Sequence, residues 1–456
     1  MPYLHNTPQD QEQMLAAIGA DSLDDLFRQI PPELRLGRAL DIPAALCELE
    51  LAQHASMLAA RNDHAGSKVC FLGGGSYDHF IPAVVDALAS RGEFYTSYTP
   101  YQPEVSQGNL QAMFEYQTLI CQLTGLDVSN ASLYDGGSAA AEAVMLCAAS
   151  TRRTGNVVVA ASVHPEYRQI LQTYFAASET EVITVAAPSG VVSPDDVAAA
   201  VNEQTACVLV QHPNFFGCLE DVERLSKAAH DAGAMLVVAF DPISLGLLRR
   251  PGDLGADVAI AEGQSLGSPM AYGGPYLGIM ACREEFVRRM PGRIAGQTTA
   301  HNGRRCWVLT LQTREQHIRR EKATSNICTN QGLYALRASI YLSLVGPQGL
   351  REAADLCLRK SRYAAEAITA ADRFSLAFEQ APTFKEFVVR DAQGDVAALL
   401  ADAREGGFLA GVPLGGWYPE LQDCFLVSVT EKRTRQEIEQ LARCLTGAPQ
   451  PTTVHA

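Results

Sequence analysis

The chain has 456 residues, about three times the length of an average domain, so we expect one large domain and at least one smaller one. Hydrophobic residues make up 47% and charged residues 19%, a globular composition that excludes a disordered, fibrous or coiled-coil protein. The net charge of −15 argues against nucleic-acid and anionic-membrane partners, because excess positive charge holds both.

The twelve cysteines are dispersed singly, and none forms a C-x-x-C pair with the spacing of a zinc or redox site. We therefore predict reduced thiols and no metal site. The N-terminus lacks the layout of a signal peptide, and no apolar run approaches the about 18 residues of a membrane span. The sequence predicts a cytoplasmic protein.

Residues 1–64 are predicted to be helical. Thr7 and Pro8 are typical of a helix start, and apolar residues recur at three- and four-residue intervals up to Ile30 and again through 44–60. Two helices alone cannot bury such stripes, so we expect this segment to pack on a larger body or on a second subunit.

Residues 65–340 are predicted to form a large α/β domain. Short runs that are apolar on successive residues indicate strands covered on both faces. These runs lie at 156–163, 181–187, 206–211, 235–240, 258–261 and 276–281, and helical stretches lie at 166–176, 195–203 and 219–232. A spacing of about 25 residues between strands favours crossover connections and a mostly parallel sheet.

A smaller α+β domain is predicted at 341–447, followed by a loose tail at 448–456. Its predicted strands lie at 374–379, 384–389 and 425–429, and its helices lie at 396–404 and from about 435 onward. Thr434 and Glu437 have the spacing of a capping box before the last helix.

One segment predicted to line a pocket is rich in rings and hydroxyls. Tyr95, Tyr98 and Tyr101 are spaced by three, with prolines between them and Glu104 close behind. Tyrosine offers an apolar face and a polar tip, which suits a pocket wall. The alternative is a structural proline-rich connection.

Two positions have the pattern of a cofactor site. Ser138 follows Gly136-Gly137 at the start of an alanine-rich helix, where free N–H groups suit a phosphate, although a routine loop and N-cap would look the same. Asp241 follows an apolar strand, where an acid can hold the pyridinium nitrogen of pyridoxal phosphate (PLP), or simply cap a loop.

A Schiff-base lysine is missing from the glycine-rich loop after 258–261, where a PLP enzyme of this layout would keep it. The six lysines are Lys68, Lys227, Lys322, Lys360, Lys385 and Lys432. Lys360, Lys385 and Lys432 are assigned to the small domain, and only Lys322 has polar, site-like neighbours in the sequence. Imine formation needs an amine, so we predict that this chain does not hold PLP covalently.

Five segments in order resemble the P-protein of the glycine cleavage system, a fold-type I PLP enzyme. They read FLGGGSYDHF, YTPYQPEVSQGNLQ, YDGGSAAAEA, GQSLGSPMAYGGPYLG and IRREKATSNICTNQ. The similarity covers essentially the whole chain. The length is similar to that of subunit 1 (alpha) in the split form of the family, which corresponds to the N-terminal half of the longer one-chain form.

The resemblance implies that the PLP lysine lies on the other subunit. Gln264 matches the lysine position, Asp241 matches the pyridinium-binding aspartate, and His164 resembles the histidine that stacks on the cofactor ring. Together with Ser138, these are interpreted as vestigial cofactor-site positions. PLP is expected on the beta subunit, with no catalytic residue on this chain alone.

The resemblance also implies the partners and the reaction. The expected assembly is an α2β2 complex with the beta subunit, which decarboxylates glycine and passes the aminomethyl group to lipoyl H-protein. Candidates to complete the pocket across the interface are Tyr95, Tyr98, Tyr101, Glu104, Thr324, Ser325 and Asn326. Two alternatives stay open: a stand-alone PLP enzyme that uses Lys322, and a non-catalytic scaffold or regulatory paralogue.

Overall fold

The computed structural model describes residues 5–447, so the tail predicted at 448–456 lies outside the described residues. The chain divides into two compact units, the first ending at Asp63 and the second beginning at His64.

The first unit contains two helices, α1 (Pro8–Ala17) and α2 (Glu48–Ala59). The helical stripe predicted around Ile30 forms only a short 3-10 turn, Leu23–Phe27, and a second turn follows at Pro32–Leu34. None of the described residues of α1 or α2 is buried, and several large apolar side chains are more than half exposed.

The second unit contains the strands. They are β1 (Val69–Cys70), β2 (Val128–Ser129), β3 (Asn156–Ala160), β4 (Glu181–Val185), β5 (Thr205–His212), β6 (Met235–Phe240), β7 (Val258–Glu262), β8 (Gly278–Cys282), β9 (Ala295–Thr299), β10 (Arg305–Leu309), β11 (Phe374–Leu376), β12 (Glu386–Asp391), β13 (Phe408–Leu409), β14 (Val412–Pro413) and β15 (Cys424–Ser428).

The helices of the second unit follow in chain order. They are α3 (Ala83–Ala89), α4 (Gly92–Tyr95), α5 (Gln107–Thr124), α6 (Gly136–Thr151), α7 (Pro165–Phe175), α8 (Pro194–Ala200), α9 (Val222–Asp231), α10 (Gln316–Arg319), α11 (Gly332–Thr369), α12 (Val396–Glu405) and α13 (Arg435–Leu445). Short 3-10 turns lie at Ile243–Gly246, Pro251–Leu254, Glu284–Arg289, Gln312–Arg314, Arg320–Lys322 and Pro419–Leu421.

A central sheet of seven strands has the order β2-β8-β7-β6-β5-β3-β4. Strands β3 to β7 pair in parallel, which confirms the mostly parallel sheet, whereas β8 pairs antiparallel with both β7 and β2. The connection from β7 to β8 carries no helix, and without a crossover the chain returns antiparallel. Strands β3 and β6 are buried along their whole length, as their uninterrupted apolar runs predict.

A second sheet lies in the C-terminal part, with four antiparallel strands in the order β11-β12-β15-β14. Helices α12 and α13 pack with it around a separate apolar core. The predicted domain boundary at 340/341 falls within α11, which is interrupted at Gly346 by a φ of +58° just before Pro347. The division of 65–447 into two domains stays a prediction. Among residues 5–447, no helix combines the length and the apolarity that a membrane span requires.

The start of α6 tolerates no side chain larger than a hydrogen. A Cβ at Gly136 would lie 2.0 Å from the Tyr167 hydroxyl oxygen and 3.0 Å from the backbone nitrogen of Glu262. We expect Gly136→Ala to destabilise the chain by about 1–3 kcal/mol, because the helix must shift to relieve the overlap. Thermal unfolding measures this effect. Gly92→Ala is the control, since a Cβ there meets no atom within 4 Å, and an equal loss in both variants would contradict the prediction.

Candidate functional site

Two of the predicted cofactor-site positions, His164 and Asp241, line a small cavity at the carboxyl edge of the central sheet, where open parallel sheets bind ligands. We call it the sheet-edge pocket. Its lining comprises Gly75, Tyr77, His164, Tyr167, Gln211, Pro213, Ala239, Phe240, Asp241, Pro242, Ala261, Glu262, Phe384 and Glu386. Its free volume is about 30 Å³, whereas small-molecule pockets typically measure about 300–1,000 Å³.

Asp241, which lines this pocket, forms an ion pair with a lysine. It follows the end of β6, and its Oδ2 lies 2.5 Å from Nζ of Lys385, while its Oδ1 accepts the N–H of Ile243 at 2.9 Å. The Lys385 side chain is 1% exposed, and its ammonium lies 3.2 Å from the centre of the Tyr77 ring. The position expected to face a pyridinium nitrogen therefore faces a cation of the chain itself.

The placement of Lys385 corrects the sequence analysis, which assigned this residue only to the small domain. Lys385 immediately precedes β12, and its backbone has a φ of +61°, an uncommon conformation for a lysine. A signal was present in the sequence: a lysine within the apolar run 384–389 must find a charged partner if it is buried. What the sequence lacks is the identity of that partner, 144 positions earlier.

Gln264, at the matched lysine position, is held by hydrogen bonds on both ends of its amide. Its Oε1 accepts the N–H of Tyr77 at 2.9 Å, and its Nε2 donates to the carbonyls of Tyr77 at 3.0 Å and Ser268 at 2.7 Å. The side chain is buried and neutral. Its amide therefore fixes two loops and has no amine to offer.

His164 stacks on a protein ring. Its ring lies 4.8 Å from the ring of Tyr167 at an angle of 21°. Nε2 donates to the carbonyl of Gly74 at 2.7 Å, because Nδ1 accepts the N–H of Glu166 at 3.1 Å. Burial lowers the pKa of His164 to about 4, so the imidazole is neutral at pH 7.

The helix start at Ser138 is occupied by the carboxylates of two protein side chains. The N–H of Ser138 donates to Oδ1 of Asp135 at 2.7 Å, which makes Asp135 the N-cap of α6. The N–H of Gly136 donates to Oε2 of Glu262 at 3.0 Å. These N–H groups, which were expected to suit a phosphate, already have side-chain carboxyl partners.

Two glutamates in the lining, the half-buried Glu262 and the buried Glu386, have a raised pKa. Burial raises the pKa of Glu262 to about 7, although it accepts backbone N–H groups from Leu277 and Gly136. Burial likewise raises the pKa of Glu386 to about 7, against the attraction of Lys385. Glu386 accepts the N–H of Gly74 at 2.7 Å and the hydroxyl of Tyr77 at 2.9 Å.

PLP does not fit these residues. The ring cation would displace Lys385 from Asp241, the phosphate would meet Glu262 and Asp135, and the free volume is too small for a substituted pyridine. Sequence reasoning found Asp241 and Gln264, but it missed Lys385, which pairs with Asp241, and Glu262 and Glu386, which line the pocket.

The predicted tyrosines lie together elsewhere in the second unit. Tyr95, Tyr98 and Tyr101 line a cavity of about 250 Å³ between the loop before α5 and the start of α11, which we call the tyrosine cavity. Tyr101 donates its hydroxyl to Oδ1 of Asn330 at 2.6 Å, and Arg293 lies 4.8 Å from the centre of its ring. Tyr98 is 94% exposed.

The other predicted interface residues do not line the tyrosine cavity. Thr324 and Ser325 line a separate small cavity, Asn326 is exposed, and Glu104 is exposed on the loop before α5. Lys322 is exposed as well. The structure thus brings the three tyrosines together, but it does not bring Thr324–Asn326 into the same cavity.

The fold and the positions at its sheet edge define the class of the protein: it has the fold of the fold-type I PLP enzymes. A sphingosine-1-phosphate lyase from Burkholderia pseudomallei has a TM-score of 0.66, with 16% identity over 92% of this chain and 94% of that chain. A NifS-like protein from Rickettsia africae has a TM-score of 0.61, with 11% identity over 83% of this chain and 99% of that chain. These two structures share the fold alone.

Within that class, the chain belongs to the glycine cleavage system P-protein family, whose model matches residues 1–445. It is 51% identical over 442 residues, 97% of this chain and 98% of the relative, to the "Probable glycine dehydrogenase (decarboxylating) subunit 1" of Desulforamulus reducens. The protein of the same description from Carboxydothermus hydrogenoformans is 49% identical over 447 residues, 98% of this chain and all of the relative.

A crystal structure of the family is similar throughout. The glycine decarboxylase (P-protein) of the glycine cleavage system, in inhibitor-bound form, has a TM-score of 0.90 and 42% identity, and the match covers 98% of this chain and 100% of that chain. The resemblance inferred from the five sequence segments is confirmed.

A buried carboxyl beside Ser325 generates a pH prediction. Glu142 on α6 is 3% exposed, and burial raises its pKa to about 7, although a hydrogen bond with Ser325 acts in the opposite direction. Between about pH 4.5 and 7 the unfolded chain loses this proton while the folded chain keeps it, so the free energy of unfolding falls as the pH rises. Above pH 7 the free energy of unfolding is lower by the full amount, up to about 3 kcal/mol.

We therefore expect Glu142→Gln to be increasingly more stable than the parent as the pH rises from 5 to 8. The difference in melting temperature, measured by scanning calorimetry, should widen by roughly a few °C. Glu115→Gln, at an exposed position of α5, is the matched control. A difference in melting temperature between Glu142→Gln and the parent that does not change with pH would contradict the prediction.

Proposed function

We propose that this chain is the alpha-type subunit of a glycine decarboxylase. Together with a PLP-bearing beta subunit it removes CO2 from glycine and passes the aminomethyl group to lipoyl H-protein. Family membership over residues 1–445 and the full-length relatives support the reaction. The proposal that the beta subunit, and not this chain, binds PLP rests on one observation, the ion pair of Lys385 with Asp241 at the sheet-edge pocket.

PLP supplies an electron sink for decarboxylation, and we place it on the beta subunit, because the sheet-edge pocket of this chain does not accept it. The contribution of this chain is then to complete the partner's pocket and to bind and orient the substrate there. Sites for small molecules often lie at such junctions.

The tyrosine cavity is the surface that we propose for this contribution. Tyr95 and Tyr98 are 59% and 94% exposed, so their rings and hydroxyls are available to another chain. Tyrosine is enriched at the centre of protein interfaces because it buries a large face and still forms hydrogen bonds. Glu104, Thr324, Ser325 and Asn326 stay proposed contributors to the same interface.

The proposed assembly is an α2β2 complex in the cytoplasm. The first unit exposes large apolar side chains, among them Leu34, Ile42 and Leu49, and obligate interfaces bury such surface. Each of the twelve cysteines, all of which fall within the described residues, is a free thiol, which suits a reducing compartment.

A non-catalytic scaffold is the second candidate function, and the filled sheet-edge pocket favours it equally. A scaffold would stabilise the beta subunit without contact to substrate. The two functions differ in what happens when the tyrosine cavity is altered in the assembled complex.

We expect Tyr98→Ala to lower glycine–bicarbonate exchange by the reconstituted complex at least about ten-fold, a loss of about 1.4 kcal/mol of transition-state stabilisation. The physical reason is the loss of an aromatic wall and a hydroxyl at the shared pocket. Size-exclusion chromatography of the same sample verifies that the complex still forms.

Tyr174→Ala is the matched control, because Tyr174 is a half-exposed tyrosine on α7, outside the tyrosine cavity. It should keep exchange within about two-fold of the parent. Unchanged exchange by an intact Tyr98→Ala complex would favour the scaffold.

The isolated chain should not catalyse exchange, even with added PLP. An assay of the purified chain with and without the beta subunit measures this. Exchange at the rate of the complex from this chain alone would refute the division of labour.

A further inference from the structure

Lys385 is an unusual residue, because it is 0% exposed at a point where the backbone turns into a left-handed conformation. A buried ammonium is costly unless it is paired and hydrogen-bonded. Its position is therefore informative: at a φ of +61°, Lys385 places its Nζ against Asp241, which follows β6 of the central sheet.

The groups around the ammonium satisfy it on several sides. Asp241 lies at 2.5 Å, and Nε2 of His79 lies at 3.3 Å. Nδ1 of His79 lies 2.6 Å from Oε2 of Glu431, so Nδ1–H donates to that carboxylate and Nε2 is free to accept from Lys385. The Tyr77 ring covers a further side at 3.2 Å from its centre.

At the other end of the site, acidic side chains occupy the backbone donors. Asp135 accepts the N–H of Ser138, and Glu262 accepts the N–H of Gly136, at the helix start where an anion would otherwise bind. Cation and anion positions of a phosphopyridine site are thus both taken by side chains of this chain.

We infer that the sheet-edge pocket is a self-filled site, in which Lys385 permanently replaces the ring cation of a coenzyme and Glu262 with Asp135 replaces its phosphate. Lys385 is a structural counter-ion of Asp241, and it does not form an imine. If the Lys385 side chain is shortened, the pocket becomes a binding site for a small alkylammonium ion. This inference does not depend on the proposed glycine reaction.

The ion pair is tested by a double-mutant cycle on the full chain. Lys385→Met keeps the length of the side chain and leaves Asp241 unpaired, whereas Asp241→Asn leaves the ammonium unpaired. We expect each single variant to lower the melting temperature by roughly 5 °C, and the double variant to lose clearly less than the sum. Lys227→Met is the control, because Lys227 pairs with Asp231 on the surface of α9 and should change the melting temperature little.

The filled pocket is tested by chemical rescue. Lys385→Ala removes the side chain beyond Cβ, and n-propylammonium chloride should raise the melting temperature of this variant by several degrees more than that of the parent. Sodium chloride at the same concentration is the control for ionic strength. Equal shifts in the parent and the variant would overturn the inference.

A third measurement needs no variant and so does not depend on how well a variant folds. The wild-type chain, alone and in complex with the beta subunit, is incubated with PLP, reduced with borohydride and mapped by mass spectrometry. We expect no pyridoxyl group at Lys385. A pyridoxyl group at Lys385 would show that the lysine is free to react and would overturn the inference. Additive losses of melting temperature in the double-mutant cycle would show that Lys385 is not paired with Asp241, and would overturn it as well.

Discussion

A buried ion pair between two distant segments organises the candidate site. Asp241 follows the central strand β6, Lys385 precedes β12 of the second sheet, and the two charges lie 2.5 Å apart out of solvent. Removing one partner of such a pair typically costs about 3–5 kcal/mol, because the other charge is left buried. The hydrogen bonds of His79, Tyr77 and Glu386 around it reflect the same physical cause, the cost of burying a polar group without a partner.

If the beta subunit binds PLP, as proposed, this pair explains how the chain can keep the fold of a PLP enzyme. Asp241, His164 and the α6 helix start lie at the carboxyl edge of the sheet, and each has a partner from the protein: Lys385, Tyr167, and the carboxyl groups of Asp135 and Glu262. Pairing with these side chains offsets the desolvation cost of burying the polar groups.

Sequence reasoning predicted the parts of the molecule that depend on local pattern. The apolar runs located six of the seven described strands of the central sheet to within a few residues, since strands covered on both faces are apolar on successive residues, whereas the two-residue β2 was not predicted. The capping box of Thr434 and Glu437 is present as predicted, because it involves only neighbouring residues. The helix expected around Ile30 is only a 3-10 turn, since Pro31 and Pro32 end the segment after about one turn.

The interior of the site could not be predicted, because it depends on contacts between residues far apart in the chain. Lys385 and Asp241 are both visible in the sequence, but nothing in their separation indicates that they meet. The run at 276–281 predicted strand β8, but not its antiparallel direction, because this run is as apolar as those of its parallel neighbours and only the missing crossover helix reverses its direction.

The ion pair of Lys385 with Asp241 has a mechanical consequence. Asp241 adjoins the seven-stranded sheet and Lys385 adjoins the four-stranded sheet. A hinge motion that opens the two sheets would therefore have to separate opposite charges in a medium of low polarity. The ion pair therefore couples the two sheets, and they should move as one rigid body even when another subunit binds at the surface.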